Sequence, residues 1–373
     1  MSRIHELTKH GQSIWYDNIR RTMLVSGELK NLIDFGVTGV TSNPTIFEKA
    51  IAGSSDYDAD LQRMVTQGFD TNSIYETLIL DDIRSAADVL RPVYDRTEKK
   101  DGYVSLEVRP TLANDTAGTI EEARSLFAAL GRPNVMIKVP ATLQGIPAIE
   151  TLISEGINVN VTLIFSLKQY EAVAEAYITG LEKRAVSGEN ISNVASVASF
   201  FISRVDSLID PALTQAGIPQ LQGKIAIANA KLANARFYEL FAGPGWEKLA
   251  ERGAQVQRPL WASTGTKSPA YPDTLYVDAL IGPDTVNTLP PVTLEAYLDH
   301  GNTEESLTTG FEDAVQYLAR LADAGIVLDE ITQQLLEDGL SAFKKSFETL
   351  LTGIAEKRDF YENRKRVGEE DVR

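Results

Sequence analysis

Eight short runs rich in β-formers, most of them separated by stretches of helical periodicity, constrain this chain more than any other feature. The runs are "SIWYDN" (13–18), "VTGVTSN" (37–43), "YVSLEV" (103–108), "VMIKV" (135–139), "INVNVT" (157–162), "VASVAS" (194–199), "LWAST" (260–264) and "LYVDAL" (275–280). Helical patterns such as "TIEEARSLFAAL" (119–130) and "LKQYEAVAEAYITGLEKR" (167–184) lie between them. Strand–helix alternation marks a parallel sheet whose crossovers are helices. Eight such units match a (β/α)8 TIM barrel, for which about 250 residues is typical. The alternative is a doubly wound sheet, but no glycine-rich fingerprint follows any strand. Extra helices fill 50–100, between strands two and three, and beyond "IGPDTVNTLPP" (281–291) the chain reads as helical to a charged end. No repeat or linker divides it. The expected arrangement is one domain over 1–373, with the barrel at about 13–282 and a helical C-terminal extension at about 283–373.

The acidic balance narrows the partners. With 52 Asp and Glu against 36 Lys and Arg, the net charge is −16, which argues against nucleic acid or an anionic membrane surface. An anionic ligand must then be held by locally placed cations. There is no cysteine, hence no disulfide, thiolate zinc site or thiol nucleophile. His5, His10 and His300 are too scattered to suggest a metal site. No apolar signal core or membrane-length run occurs, so the chain is expected to be cytoplasmic, without metal or cofactor.

One residue breaks the apolar pattern. Lys138 stands inside "VMIKVPAT", and a buried ammonium without a partner is costly. Successive strand residues point to opposite faces. Val135, Ile137 and Val139 then pack outward on helices, leaving Met136 and Lys138 inward. By the same parity Tyr103, Ser105 and Glu107 face inward in the third run, and Asn158, Asn160 and Thr162 in the fifth. Near the C-terminal ends, where barrel active sites sit, the inward polar set is Glu107, Lys138, Asn160 and Thr162. The bland explanation is a snorkelling lysine or a buried ion pair with Glu107. The convergence of three strands favours chemistry, and a lysine without metal, thiol or cofactor motif suggests Schiff-base formation with a carbonyl. Attack needs the neutral amine, which burial in an apolar strand favours.

These residues carry a resemblance. "GVTGVTSNPTIFEKAI" (36–51) and "VMIKVPAT" (135–142) look like the two signature segments of the transaldolase family, and "VSLEV" (104–108), "NVNVTLIFS" (158–166) and "WASTGTK" (261–267) follow in order. The resemblance covers nearly all of the chain. It implies a class I aldolase-type barrel that moves a dihydroxyacetone unit between phosphorylated sugars without a metal, in the non-oxidative pentose phosphate pathway. The donor would be sedoheptulose 7-phosphate or fructose 6-phosphate, the acceptor glyceraldehyde 3-phosphate or erythrose 4-phosphate. By the resemblance Lys138 is the Schiff-base lysine, Glu107 an acid/base acting through a water, and Thr162 the holder of that water. Asp17 is the base on the C4 hydroxyl. Asn43 and Asn160 hold the dihydroxyacetone hydroxyls, Ser199 is a further active-site hydroxyl, and Arg204 with Ser263 binds phosphate. Where the better-known members carry an arginine two positions after Ser263, this chain has Gly265, with Lys267 as the replacement.

Each position also has a structural reading. Asp17 suits a turn or cap, Asn43 an N-cap before Pro44, and Thr162 a strand by propensity. Arg204 could pair with Asp206 or Asp210, and Ser263 and Lys267 could be ordinary loop residues. Two other functions stay open: a fructose-6-phosphate aldolase-like enzyme that releases free dihydroxyacetone, and a silent barrel that binds sugar phosphates. The oligomeric state is expected to be monomer or homodimer.

Overall fold

The computed structural model describes residues 2–370. Eight parallel strands close into a barrel in sequence order: β1 (Gln12–Tyr16), β2 (Val37–Thr41), β3 (Val104–Glu107), β4 (Val135–Pro140), β5 (Val159–Ile164), β6 (Ser196–Phe201), β7 (Arg258–Ala262) and β8 (Thr285–Leu289), with β8 pairing back to β1. The (β/α)8 expectation therefore holds.

The last strand does not lie where the pattern placed it. "LYVDAL" forms a short helix, Leu275–Asp278, and β8 is "TVNTL", within the bounds 283–373 assigned to the C-terminal extension. The two runs differ little in propensity, so their flanks decide. Thr274 donates its hydroxyl to Asp278 at 2.6 Å, a local bond that favours a helical turn. Pro283 and Asp284 make the turn into β8, with Asp284 in the left-handed region at φ 55°. The strands consequently run from Gln12 to Leu289, past the expected limit of 282.

Between β2 and β3 the expected helices are present, including a 26-residue helix, Thr71–Arg96. Asp70 caps it by accepting from the Ser73 amide at 2.7 Å, and its buried side chains at 74, 78, 79 and 83 keep helical spacing against the barrel. The helix Leu167–Val186 begins with a capping box formed by Ser166 and Gln169. The C-terminal helix, Leu328–Glu370, crosses the end of the barrel that carries the strand C-termini. Its Ser346 hydroxyl meets Thr45 at 2.9 Å, and its Lys357 amine donates to the Ile51 carbonyl at 3.1 Å. No helix among the described residues is long and apolar enough to cross a membrane.

At the opposite end a buried polar network joins three strands. Arg258, opening β7, donates to Asp101 at 3.1 Å and to the Ser13 hydroxyl at 2.8 Å. Asp101, just before β3, also accepts from Ser13 at 2.6 Å and from the Trp15 indole at 2.9 Å. Every member is buried and paired, as a network in low dielectric must be.

Candidate active site

Strand register assembles the centre. Glu107 pairs with Lys138 across β3–β4, and Lys138 with Asn160 across β4–β5, so the three occupy one level on neighbouring strands. Lys138 is buried, and its Nζ donates to the Ser42 carbonyl at 2.9 Å and lies 3.4 Å from Glu107 Oε2. That separation is an ion pair without hydrogen-bond alignment, because Glu107 Oε2 has no hydrogen-bond partner. The buried Thr162 hydroxyl has none either. Both atoms are free to bond a polar group that enters the centre.

Burial dominates the two carboxyl groups. It pushes the Glu107 pKa above the usual carboxylate value, against the pull of the Lys138 cation. Asp17, just beyond β1, is likewise raised by burial, opposed by Lys138, the Thr41 hydrogen bond, Arg204 and Lys267. Its Oδ1 accepts from the Thr41 hydroxyl at 2.7 Å, and Thr41 meets Thr288 at 2.7 Å, which ties the carboxylate to β2 and β8. Asp17 is therefore fixed in the centre and is not a turn cap.

A cavity of about 720 Å³ opens over Lys138. Of the residues expected in the site, Asp17, Asn43, Thr162, Ser199, Arg204, Ser263 and Lys267 also line it, whereas Glu107 and Asn160 do not. Asn160 is fully buried: its amide donates to Ser105 at 3.0 Å and its carbonyl accepts from Ser199 at 2.7 Å. As it stands it orients Ser199. Asn43 combines both of its readings. Its Oδ1 caps the helix Pro44–Phe47 through the Ile46 amide at 3.0 Å, while its side chain lines the cavity.

Two strained residues adjoin the site. Leu163, at φ 58°, lies where the β5–β6 register shifts, next to Thr162, and Ser263, at φ 57°, follows β7 and lines the cavity. A non-glycine residue there costs about 1 kcal/mol or more, and such strain concentrates at functional sites.

Arg204 pairs with neither Asp206 nor Asp210. Its guanidinium lies over the Phe201 ring, 5.2 Å from the centroid, and 5.9 Å from that of Phe343 on the C-terminal helix. Burial lowers its pKa, against the pull of Asp17 and Glu107. Lys267 keeps much of its surface accessible, yet enough protein surrounds its amine for desolvation, then Arg204, to lower its pKa as well. At Gly265 a Cβ would stand 2.8 Å from the Thr293 hydroxyl, so any side chain there requires Thr293 to shift.

Thr41, Ser42, Thr288 and Phe343 belong to the site without having been expected from the sequence. The first two sit inside "GVTGVTSNPTIF" beside Asn43, where parity would have placed Thr41 inward. Phe343 comes from the far end of the chain and has no local signal. Among the described residues no three His, Asp or Glu side chains cluster as metal ligands.

The chain matches the family model described as Transaldolase/Fructose-6-phosphate aldolase over residues 14–354. It is 48% identical over 369 residues to Transaldolase 2 of Nostoc sp., covering 95% of this chain and 97% of that protein. It is 46% identical over 360 residues to a transaldolase of Thermobifida fusca, covering 95% and 98%, and 48% identical over 353 residues to one of Acidothermus cellulolyticus, covering 94% and 95%.

Proposed function

The chain belongs to the transaldolase/fructose-6-phosphate aldolase family, and from that premise we propose that it transfers a dihydroxyacetone unit from a ketose phosphate to an aldose phosphate through a Schiff base on Lys138. One observation carries this reading: the Lys138 amine is buried at the cavity, fixed by the Ser42 carbonyl, with Glu107 at 3.4 Å and Asp17 lining the same space. Lys138 attacks the C2 carbonyl of the donor. Glu107, working through a water held by Thr162, supplies and removes the protons of carbinolamine formation and dehydration; a carboxyl group raised by burial suits both directions. In the resulting iminium the C3–C4 bond breaks as Asp17 takes the proton of the C4 hydroxyl. The aldose leaves, and its electrons remain as the enamine. The acceptor aldehyde then adds at the same carbon, Asp17 returns the proton, and hydrolysis frees Lys138.

Asn43 and Ser199 hold the dihydroxyacetone hydroxyls in this scheme, with Asn160 orienting Ser199. Arg204, Ser263 and Lys267 hold the phosphate. Its donors are sedoheptulose 7-phosphate and fructose 6-phosphate, its setting the cytoplasm, and its form a monomer or homodimer, which sedimentation would decide.

Borohydride reduction in the presence of fructose 6-phosphate should leave the three-carbon unit or the whole sugar on Lys138, mapped by mass spectrometry. An adduct on another lysine, or normal turnover by Lys138→Ala, overturns the mechanism. Dependence of product formation on added aldose phosphate separates transfer from simple release of dihydroxyacetone.

A further inference from the structure

Lys49 lines the same cavity as Arg204 and Lys267 and belongs to neither of the roles already given. It sits in the single π-helical turn Glu48–Ala52, a conformation that is rare and frequent at functional sites. The turn is held from outside. Lys357 of the C-terminal helix donates to the Ile51 and Ser54 carbonyls just beyond Lys49, and to Asp58 at 2.8 Å.

Among the described residues none of these three cations has a carboxylate partner. Arg20, which also lines the cavity, is paired with Glu28 at 2.8 Å, and Lys138 with Glu107. Burial first, then the charge of Arg204 and finally that of Lys49 hold the Lys267 pKa down, against the pull of Asp17. Three like charges gathered on one cavity repel one another, and a dianion between them removes that repulsion. In a chain of net charge −16 such a concentration of unpaired cations is a local reversal of sign, which draws an anion to this place.

We propose that Lys49 is a third phosphate-binding side chain, which joins Arg204 and Lys267 on the phosphate of the sugar substrate and supplies charge that Gly265 does not. The role rests on the function proposed above and adds a specificity-determining residue to it. As a flexible point charge, Lys49 contributes attraction without bidentate geometry.

The test uses binding as well as turnover. Inorganic phosphate is titrated by calorimetry into the full chain, its Lys49→Ala variant and its Lys49→Arg variant. Fructose 6-phosphate and unphosphorylated fructose are then compared as donors. Lys49→Ala should weaken phosphate roughly three- to twentyfold, at or below the level of a desolvated charge-assisted bond, and raise KM for fructose 6-phosphate by a similar factor. Its kcat and its use of fructose should stay as they are, and Lys49→Arg should recover most of the loss. Equal phosphate affinity in the parent and Lys49→Ala overturns the proposal whatever the activity. Phosphate binding by the parent that Lys49→Ala weakens, with no transfer from any sugar phosphate by the parent, leaves Lys49 as an anion ligand and overturns the transaldolase reading instead.

Discussion

Asp17, the proposed base, would serve chemistry at the expense of the fold. Its carboxyl is raised by burial, so the folded state holds the proton more tightly than the unfolded chain does. For a carboxylate of raised pKa, folding gains as pH falls, and stability is lost as pH rises from the unfolded value toward the folded one. At neutral pH Asp17→Asn should therefore melt higher than the parent, while the amide oxygen still accepts from Thr41. In its proposed role as base, in contrast, Asp17 must be ionised. Turnover should thus fail as pH drops through a pKa above the ordinary carboxylate value of about 4. In the Asn variant the retro-aldol step should be lost at every pH, while borohydride trapping of intact hexose phosphate survives. Calorimetry and trapping check this together, and a variant that melts lower and cannot be trapped would make Asp17 structural. Period-two parity was enough to bring Lys138, Glu107, Asn160 and Thr162 together from sequence, because strand geometry is local. It could not reveal that both polar ends of Asn160 are taken by Ser105 and Ser199, since those bonds depend on register between strands.

Among the elements, the C-terminal helix bears most directly on the site. Phe343 packs on Arg204, Ser346 meets Thr45 beside Asn43, and Gly339 passes close to Leu163 and Arg204. A Cβ on Gly339 would stand 2.9 Å from Leu163 Cδ2 and 3.5 Å from Arg204 Nη1. Leu163 is fully buried at φ 58° and has little freedom to yield. Gly339→Leu should cost about 1–3 kcal/mol by overpacking. It should also raise KM for fructose 6-phosphate more than for fructose, because the displaced group, Arg204, is a proposed phosphate ligand. Thermal denaturation and the two donors measured in parallel check this; an equal effect on both sugars separates the helix from the phosphate site. The helical character of this extension was legible, but its place over the barrel mouth was not. A helix pattern states which face is apolar, not what it covers. β8 escaped for a related reason: "TVNTL" is short and mostly polar, and besides its flanking turn it needs its partners β1 and β7 to be a strand.

At the scale of the molecule, the barrel separates its two ends. The C-terminal end gathers Lys138 and the cavity's cations Arg204, Lys267 and Lys49, whereas the opposite end is closed by Arg258, Asp101, Ser13 and Trp15. Removing one partner of a buried ion pair typically costs 3–5 kcal/mol. Arg258→Leu should fall near the lower end of that range, since Asp101 keeps its bonds from Ser13 and Trp15. Urea unfolding should register the loss, and the KM for fructose 6-phosphate should be unchanged. A selective change in KM would show that the two ends are coupled.

The seam between β1 and β8 also sets an order of events during synthesis. Gln12 bonds to Thr285, 273 residues later, and contacts so distant in sequence form slowly, after local ones. While the chain emerges from the ribosome, β1 and β2 can pair early, but the ring cannot close until β8 is out. Phe343 follows still later, so Arg204 lacks one of its aromatic neighbours until the C-terminal helix is made. A nascent chain thus carries an unclosed sheet with two free edges for most of its elongation, the state in which partly made domains misassociate.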